Sequence, residues 1–350
     1  MVIGFHLWDR EVAFGIESPV FREIRWFGFA GVDLFFVLSG FLITAANRHH
    51  QGRTAAVPGY LFRRFWRLYP TYWVAMAVTA VVGWAALGWP VLDAGWPADW
   101  PSWLSLAPSP ASNLVLPQAW TLTFEVAFYL AVGIAIPLPS RWAAAAFWGW
   151  AAAVGVAAAW PEPQATASKL LLSPFVLEFL GGCAVARLAA RGVRRGGRTA
   201  LVLGIGYAAA AAVVADAVSA KPFLHQMASS RVRVLVFGPP AVLLLYGLVA
   251  AEGRWPRRVP GWLLKVGDAS YSLYLSHSVV IGAAMVAGMW FPHSRLNHTG
   301  WVVGTFAAIL AVGLLFHAGV ERPLLNLARR RPIAPPPASR PGATPRLRAA

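Results

Sequence analysis

Arg64 and Arg67 stand three residues apart in Arg64-Phe65-Trp66-Arg67-Leu68-Tyr69-Pro70-Thr71-Tyr72-Trp73. On a helix that spacing puts both guanidinium groups on one face. Two planar forks so placed can hold a pyrophosphate or several phosphate oxygens in bidentate fashion. The same pair with its flanking rings also reads as a positive anchor and aromatic belt at a membrane surface, and spacing alone leaves both readings open. Two carboxylates stand in apolar surroundings, Asp33 in Gly31-Val32-Asp33-Leu34-Phe35-Phe36-Val37-Leu38-Ser39-Gly40 and Glu125 in Trp120-Thr121-Leu122-Thr123-Phe124-Glu125. A carboxylate on a membrane span costs roughly 2.5–3.5 kcal/mol on insertion scales, so each needs a compensating role, in chemistry or in a polar contact to another helix.

His6 and Ser270-Tyr271-Ser272-Leu273-Tyr274-Leu275-Ser276-His277 complete the set. A neutral imidazole can take a proton from a hydroxyl near neutral pH, the requirement of a general base, although a histidine near a helix end also serves as a polar cap. The hydroxyls and His277 give their helix a polar face that must meet other helices or a water-filled cavity. Cys183 is the one cysteine, so an intrachain disulfide and a cysteine metal site are excluded. Its neighbours Gly181, Gly182 and Ala184 point to close helix packing. Phosphate-loop, dinucleotide and zinc-protease patterns are absent, and no metal site is expected.

These residues must be positioned by membrane helices. Hydrophobic residues make up 58% of the 350, charged residues 13%, and mean hydropathy is +0.56, whereas a soluble domain has about a quarter charged residues. About 20 apolar residues make a crossing. Spans are expected at 26–46, 68–89, 118–138, 142–160, 170–187, 199–219, 233–251, 267–290 and 299–320. The short apolar start before Asp9 reads as the tail of a tenth helix. The expected fold is all-α, a polytopic transmembrane bundle of about ten spans with the first truncated: one domain over 1–325, then a disordered basic tail over 326–350 rich in Pro and Arg.

The thirty basic residues test that topology. Most, including Arg64, Arg67, the Arg187–Arg198 group and Arg329–Arg331, fall in segments that share a side with the C-terminus, which the positive-inside rule makes cytoplasmic. A net charge of +16 and a pI near 11.2 are thus topological, and nucleic-acid binding is rejected. The tail is placed to touch anionic membrane lipid. Glu125 then lies about seven residues into a span entered from outside, ~10 Å deep at ~1.5 Å per residue. Asp33 lies at similar depth, within expected reach of His6.

Taken in order, the Gly31–Ile43 run, the Arg64–Trp73 segment, Trp120–Glu125 with Phe128-Tyr129-Leu130, Ser270–His277 and Glu321-Arg322-Pro323 resemble the acyltransferase 3 family of membrane-bound O-acyltransferases over residues 1 to 325. The second carboxylate common after the glutamate is Val126 here. The Trp120–Glu125 wording resembles the branch that acetylates exopolysaccharide.

The resemblance implies a plasma-membrane enzyme, multi-pass with a cytoplasmic C-terminus, that uses acyl-CoA, most simply acetyl-CoA, as co-substrate and a glycan or lipid-linked saccharide as acceptor. His6 takes the place of the family's essential histidine; the arginine typical about eleven residues before it would fall ahead of Met1. Arg64 and Arg67 match the donor-binding Arg-x-x-Arg, with Tyr69 beside them. In the implied site, His6 is the base or a transient acyl carrier, Asp33 or Glu125 orients its imidazole, Tyr271, Ser272 and Tyr274 are candidate oxyanion donors, and His277 joins those three on the substrate side. A transporter or flippase is the rival reading, since intramembrane carboxylates and histidines also suit proton-coupled transport; the lack of an internal repeat counts against it.

Overall fold

The computed structural model describes residues 2–13, 26–87, 100–108, 114–160, 166–217, 230–252, 259–288 and 295–329, and among these every regular element is helical. The helices are α1 (Val2–Ala13), α2 (Gly31–Asn47), α3 (Val57–Leu87), α4 (Trp100–Ser105), α5 (Trp120–Ala135), α6 (Ser140–Ala157), α7 (Thr166–Leu171), α8 (Phe175–Ala190), α9 (Gly197–Ala217), α10 (Ser230–Ala251), α11 (Gly261–Asp268), α12 (Ser270–Gly288), α13 (Arg295–Phe316) and α14 (Arg322–Arg329). Eight helical stretches among the described residues are long and apolar enough to cross a membrane. The remaining expected span, 142–160, is occupied by α6, an 18-residue helix rich in Ala, Trp and Gly. The bundle is therefore all-α and polytopic, as its composition requires.

Small residues bring its centre together. A Cβ on Gly40 of α2 would run into the Phe179 carbonyl of α8, and one on Gly182 of α8 would run into the Val37 carbonyl of α2. The two backbones touch through this reciprocal pair, and Cys183 Sγ lies 3.6 Å from the Gly40 carbonyl. The small-residue stretch around Cys183 thus does the packing expected of it. Phe36, Phe128, Phe175 and Phe179 fill the adjoining core, with Phe128 and Phe179 stacked at 4.0 Å between ring centres.

Backbone groups left without partners are answered by aromatic donors, as a low-dielectric surround demands. Pro239 inside α10 has no N–H for the Leu235 carbonyl four residues back, and the Tyr207 hydroxyl of α9 donates to that oxygen at 3.0 Å. The short helix α4 packs against the middle of the span Thr54–Ala85, and the last carbonyls of a helix lack internal partners. Three donors of α3 supply them: Tyr72 Oη to Trp103 O at 2.7 Å, Trp73 Nε1 to Leu104 O at 2.9 Å and Tyr69 Oη to Ser105 O at 2.6 Å. Leu106 then turns the chain in the left-handed region (φ 56°), where glycine is usual; its burial at 1% exposure accounts for a leucine there.

The chain beyond Glu321 departs from expectation. It continues as α14 to Arg329, pinned by Trp66 Nε1 donating to the Leu324 carbonyl at 2.6 Å, so 326–329 belong to a helix. The rest of the expected tail, 330–350, lies outside the described residues.

Candidate active site

Among the described residues, the clusters around Glu321 and Asp33 and the His6–His277 pair hold most of the expected site residues. At the end of the bundle that holds Arg64, Glu321 is fully buried in a single π-turn, His317–Glu321, between α13 and α14. Such turns occur often at functional sites. Its carboxylate collects three partners: Arg67 Nη1 at 2.5 Å on Oε1, and Ser272 Oγ at 2.6 Å and His317 Nδ1 at 2.8 Å on Oε2. Arg67 stays 41% exposed, so its fork is held on one side and open on the other. Its charge lies 5.6 Å from the Tyr271 ring centre. Arg64 rests between the rings of Tyr60 and Tyr129, 5.5 and 5.3 Å away, a stacking that suits a planar guanidinium.

Glu125 belongs to this end. Its Oε1 accepts from Tyr129 Oη at 2.5 Å, and Arg67 and Arg64 are its charged neighbours. It is therefore placed with Arg64 and Arg67, in contrast to the position beside His6 that its depth suggested.

Asp33 is fully buried at the other end and bound to Arg233 of α10. Nε lies 3.1 Å from each carboxylate oxygen, and Nη2 lies 2.9 Å from Oδ2. Nη2 also donates to the Phe29 carbonyl at 2.8 Å, and the guanidinium covers the Phe29 ring at 4.0 Å. Glu178 of α8 is buried beside this pair. Both oxygens of Asp33 are thus taken by a guanidinium, which corrects the expected pairing with an imidazole.

The His6 ring instead faces His277, with centroids 5.1 Å apart. Phe5 links this pair to the Arg233 cluster, 5.5 Å from His6 and 5.1 Å from Phe29. His277 is 1% exposed, and its Nδ1 lies 2.6 Å from the Tyr274 carbonyl.

The three expected oxyanion donors have their hydroxyl hydrogens committed elsewhere. Tyr271 donates to Leu68 O at 2.9 Å, Ser272 to Glu321, and Tyr274 to the Gln118 carbonyl. One hydroxyl carries one hydrogen, so these residues tie α12 to α3, to the π-turn and to the entry of α5. Gln118 completes that last junction, accepting from Ser278 Oγ at 3.0 Å and donating to Leu275 O at 3.2 Å. Tyr69, expected beside the donor, has its hydroxyl on Ser105 O, as described above.

Sequence reasoning gave no role to Arg233, Glu178 or Glu321. The signal for the first two was available: both are charges within or at the edge of an apolar run, the criterion that singled out Asp33. Their pairing was not, because Asp33 and Arg233 are 200 residues apart.

The chain is similar to known proteins along nearly its whole length. The exopolysaccharide production protein ExoZ of Rhizobium meliloti (strain 1021) is 29% identical over 324 residues, covering 87% of this chain and 92% of ExoZ. The acyltransferase MdmB of Streptomyces mycarofaciens is 28% identical over 354 residues, covering 90% of this chain and 86% of MdmB. No solved structure matches it significantly. Residues 1–317 match the acyltransferase domain family Acyl_transf_3, and the chain therefore belongs to that family of acyltransferases.

Proposed function

We propose that this acyltransferase moves an acetyl group from acetyl-CoA on the cytoplasmic side to a hydroxyl of an exported or lipid-linked glycan on the outer side of the plasma membrane. Arg64 and Arg67 hold the donor's phosphates at the cytoplasmic end, and His6 takes the acceptor's proton. The oxygen then attacks the acyl carbon, the carbon–sulfur bond breaks, and the leaving thiolate recovers the proton from His6. The name of ExoZ, which ties that relative to exopolysaccharide production, supports a glycan acceptor.

One observation carries the reading. Helix α12 touches the donor end through Ser272 on Glu321 and the histidine pair through His277. Five residues along a helix is about 7–8 Å, and the arm between the diphosphate of coenzyme A and its sulfur is longer than that. The arm of a donor anchored at Arg67 is thus longer than the rise along α12 between these two contacts, which supports the reading.

The test follows label from [14C]acetyl-CoA into alkali-labile ester, in membranes of the native host lacking its chromosomal copy and expressing either the full chain or His6→Ala. The full chain is expected to transfer and His6→Ala to be inactive while eluting as folded protein. Transfer retained by His6→Ala removes His6 from the mechanism, and absence of any acetyl ester with the full chain removes the donor assignment.

A further inference from the structure

His277 is fixed at one ring nitrogen and idle at the other. A carbonyl only accepts, so the 2.6 Å contact to Tyr274 O places a hydrogen on Nδ1 and leaves the lone pair on Nε2. Nε2 is buried, and no described residue hydrogen-bonds it. A buried acceptor without a donor is destabilising, a penalty that Leu or Phe at this core position would not carry. The neighbour is the His6 ring, 5.1 Å away between centroids and tilted by 34°. An N–H···N bond of ~2.9 Å between two imidazoles, each nitrogen ~1.1 Å from its ring centre, spans about 5 Å. The separation of the ring centres matches such a bond.

The frame around His277 is firm. Its helix is clamped at Tyr274, whose hydroxyl is shared between the Gln118 carbonyl and Thr121 Oγ1 and whose ring stacks on Phe35. Asp33, the carboxylate that would otherwise orient His6, is held by Arg233.

We propose that His277 is the positioning partner of His6 in acyl transfer: its Nε2 accepts the N–H of His6 and directs the other nitrogen's lone pair at the acceptor hydroxyl. The inference rests on the reading of His6 as base. When His6 takes the acceptor's proton, the ring becomes an imidazolium and its N–H becomes a stronger donor, so the bond to Nε2 tightens as charge develops. An interaction that strengthens toward the transition state raises turnover and leaves donor affinity unchanged. His277 neither gains nor loses a proton; the hydrogen passes from the acceptor oxygen to His6 and on to the thiolate.

The test uses the native-host membranes and [14C]acetyl-CoA assay over a range of donor concentrations. His277→Leu is expected to lower kcat about 100-fold with the KM for acetyl-CoA within about twofold. His277→Gln, whose side-chain oxygen sits close to the place of Nε2 and still accepts, is expected to recover about tenfold of that loss. His277→Phe keeps ring volume without an acceptor and is expected to match His277→Leu, which secures the comparison if the leucine variant does not fold. Wild-type rates in the apolar variants, equal losses in Gln and Phe, or a rise in KM in place of the fall in kcat overturn the proposal. Transfer that survives His6→Ala overturns the base reading itself, whereas transfer lost in His6→Ala and kept in His277→Phe overturns only the partnership.

Discussion

Arg233 grips Asp33 through both carboxylate oxygens, and the two side chains are only 9% and 0% exposed. Removing one member of such a pair leaves an uncompensated buried charge, a loss of about 3–5 kcal/mol, whereas an apolar replacement of both is tolerated far better. Asp33→Leu and Arg233→Met are each expected to cost most of the folded chain, and the double variant to recover a good part of it. Thermal melts of the detergent-solubilised proteins around this cycle measure the coupling. Losses that simply add would show that the pair does not act as a unit.

The clasp on α4 makes a separate prediction. Tyr72 Oη and Tyr69 Oη hold carbonyls of Trp103 and Ser105, and an unsatisfied carbonyl in a buried setting costs about 1–3 kcal/mol. Tyr72→Phe, at a fully buried position, is expected to lower the melting temperature by several degrees. Tyr69→Phe is expected to lower it less and to leave the KM for acetyl-CoA within about twofold. A tenfold rise in KM for Tyr69→Phe would return that residue to the donor site.

The helical bundle was legible because its signals are local. Apolar runs near the length of a crossing and loops rich in arginine set the spans without any tertiary information. Individual ionisable groups in those runs were also legible, which is why Asp33, Glu125, His6 and His277 could all be named. Their partners were not. Asp33 meets Arg233 across 200 residues of sequence and Arg67 meets Glu321 across 254, and depth counted along a helix carries no information on which face is turned to which neighbour. Depth alone made Asp33 and Glu125 equivalent, whereas packing gives them different partners, Arg233 for one and Tyr129 for the other. The hydroxyls of Tyr271, Ser272 and Tyr274 misled for the same reason. A motif shows that a polar face exists, and only the neighbouring backbone shows that its hydrogens are already spent on joining helices.

Arg67 and Glu321 give a prediction about the donor. The carboxylate fixes one side of the guanidinium while the other stays accessible, so Glu321 sets where the open fork points. Arg67→Ala is expected to raise the KM for acetyl-CoA about tenfold or more with a smaller change in kcat, since it removes binding shared by ground and transition states. Glu321→Gln keeps the shape but weakens the charge-assisted bond, and is expected to raise KM severalfold. Arg67→Lys is expected to behave like Arg67→Ala, because an ammonium lacks the fork. Initial rates over a donor series decide it; an unchanged KM in all three variants would place the donor's phosphates elsewhere.

Gly40 and Gly182 test the centre of the fold. Each lies where a Cβ would strike a backbone carbonyl of the opposing helix, Phe179 in one case and Val37 in the other, and neither carbonyl can move without displacing its helix. Overpacking a core costs about 1–3 kcal/mol where side chains can shift, and here the obstruction is backbone. Gly40→Ala and Gly182→Ala are therefore each expected to lose most folded chain, even though alanine favours helix over glycine by roughly 1 kcal/mol. Gly149 of α6 has open space where its Cβ would go, so Gly149→Ala is expected to be neutral or slightly stabilising and serves as the control for helix propensity. Yields of monodisperse protein and melting temperatures in one detergent make the comparison. If all three alanine variants behaved alike, contact between the α2 and α8 backbones would not be what holds the centre of the bundle.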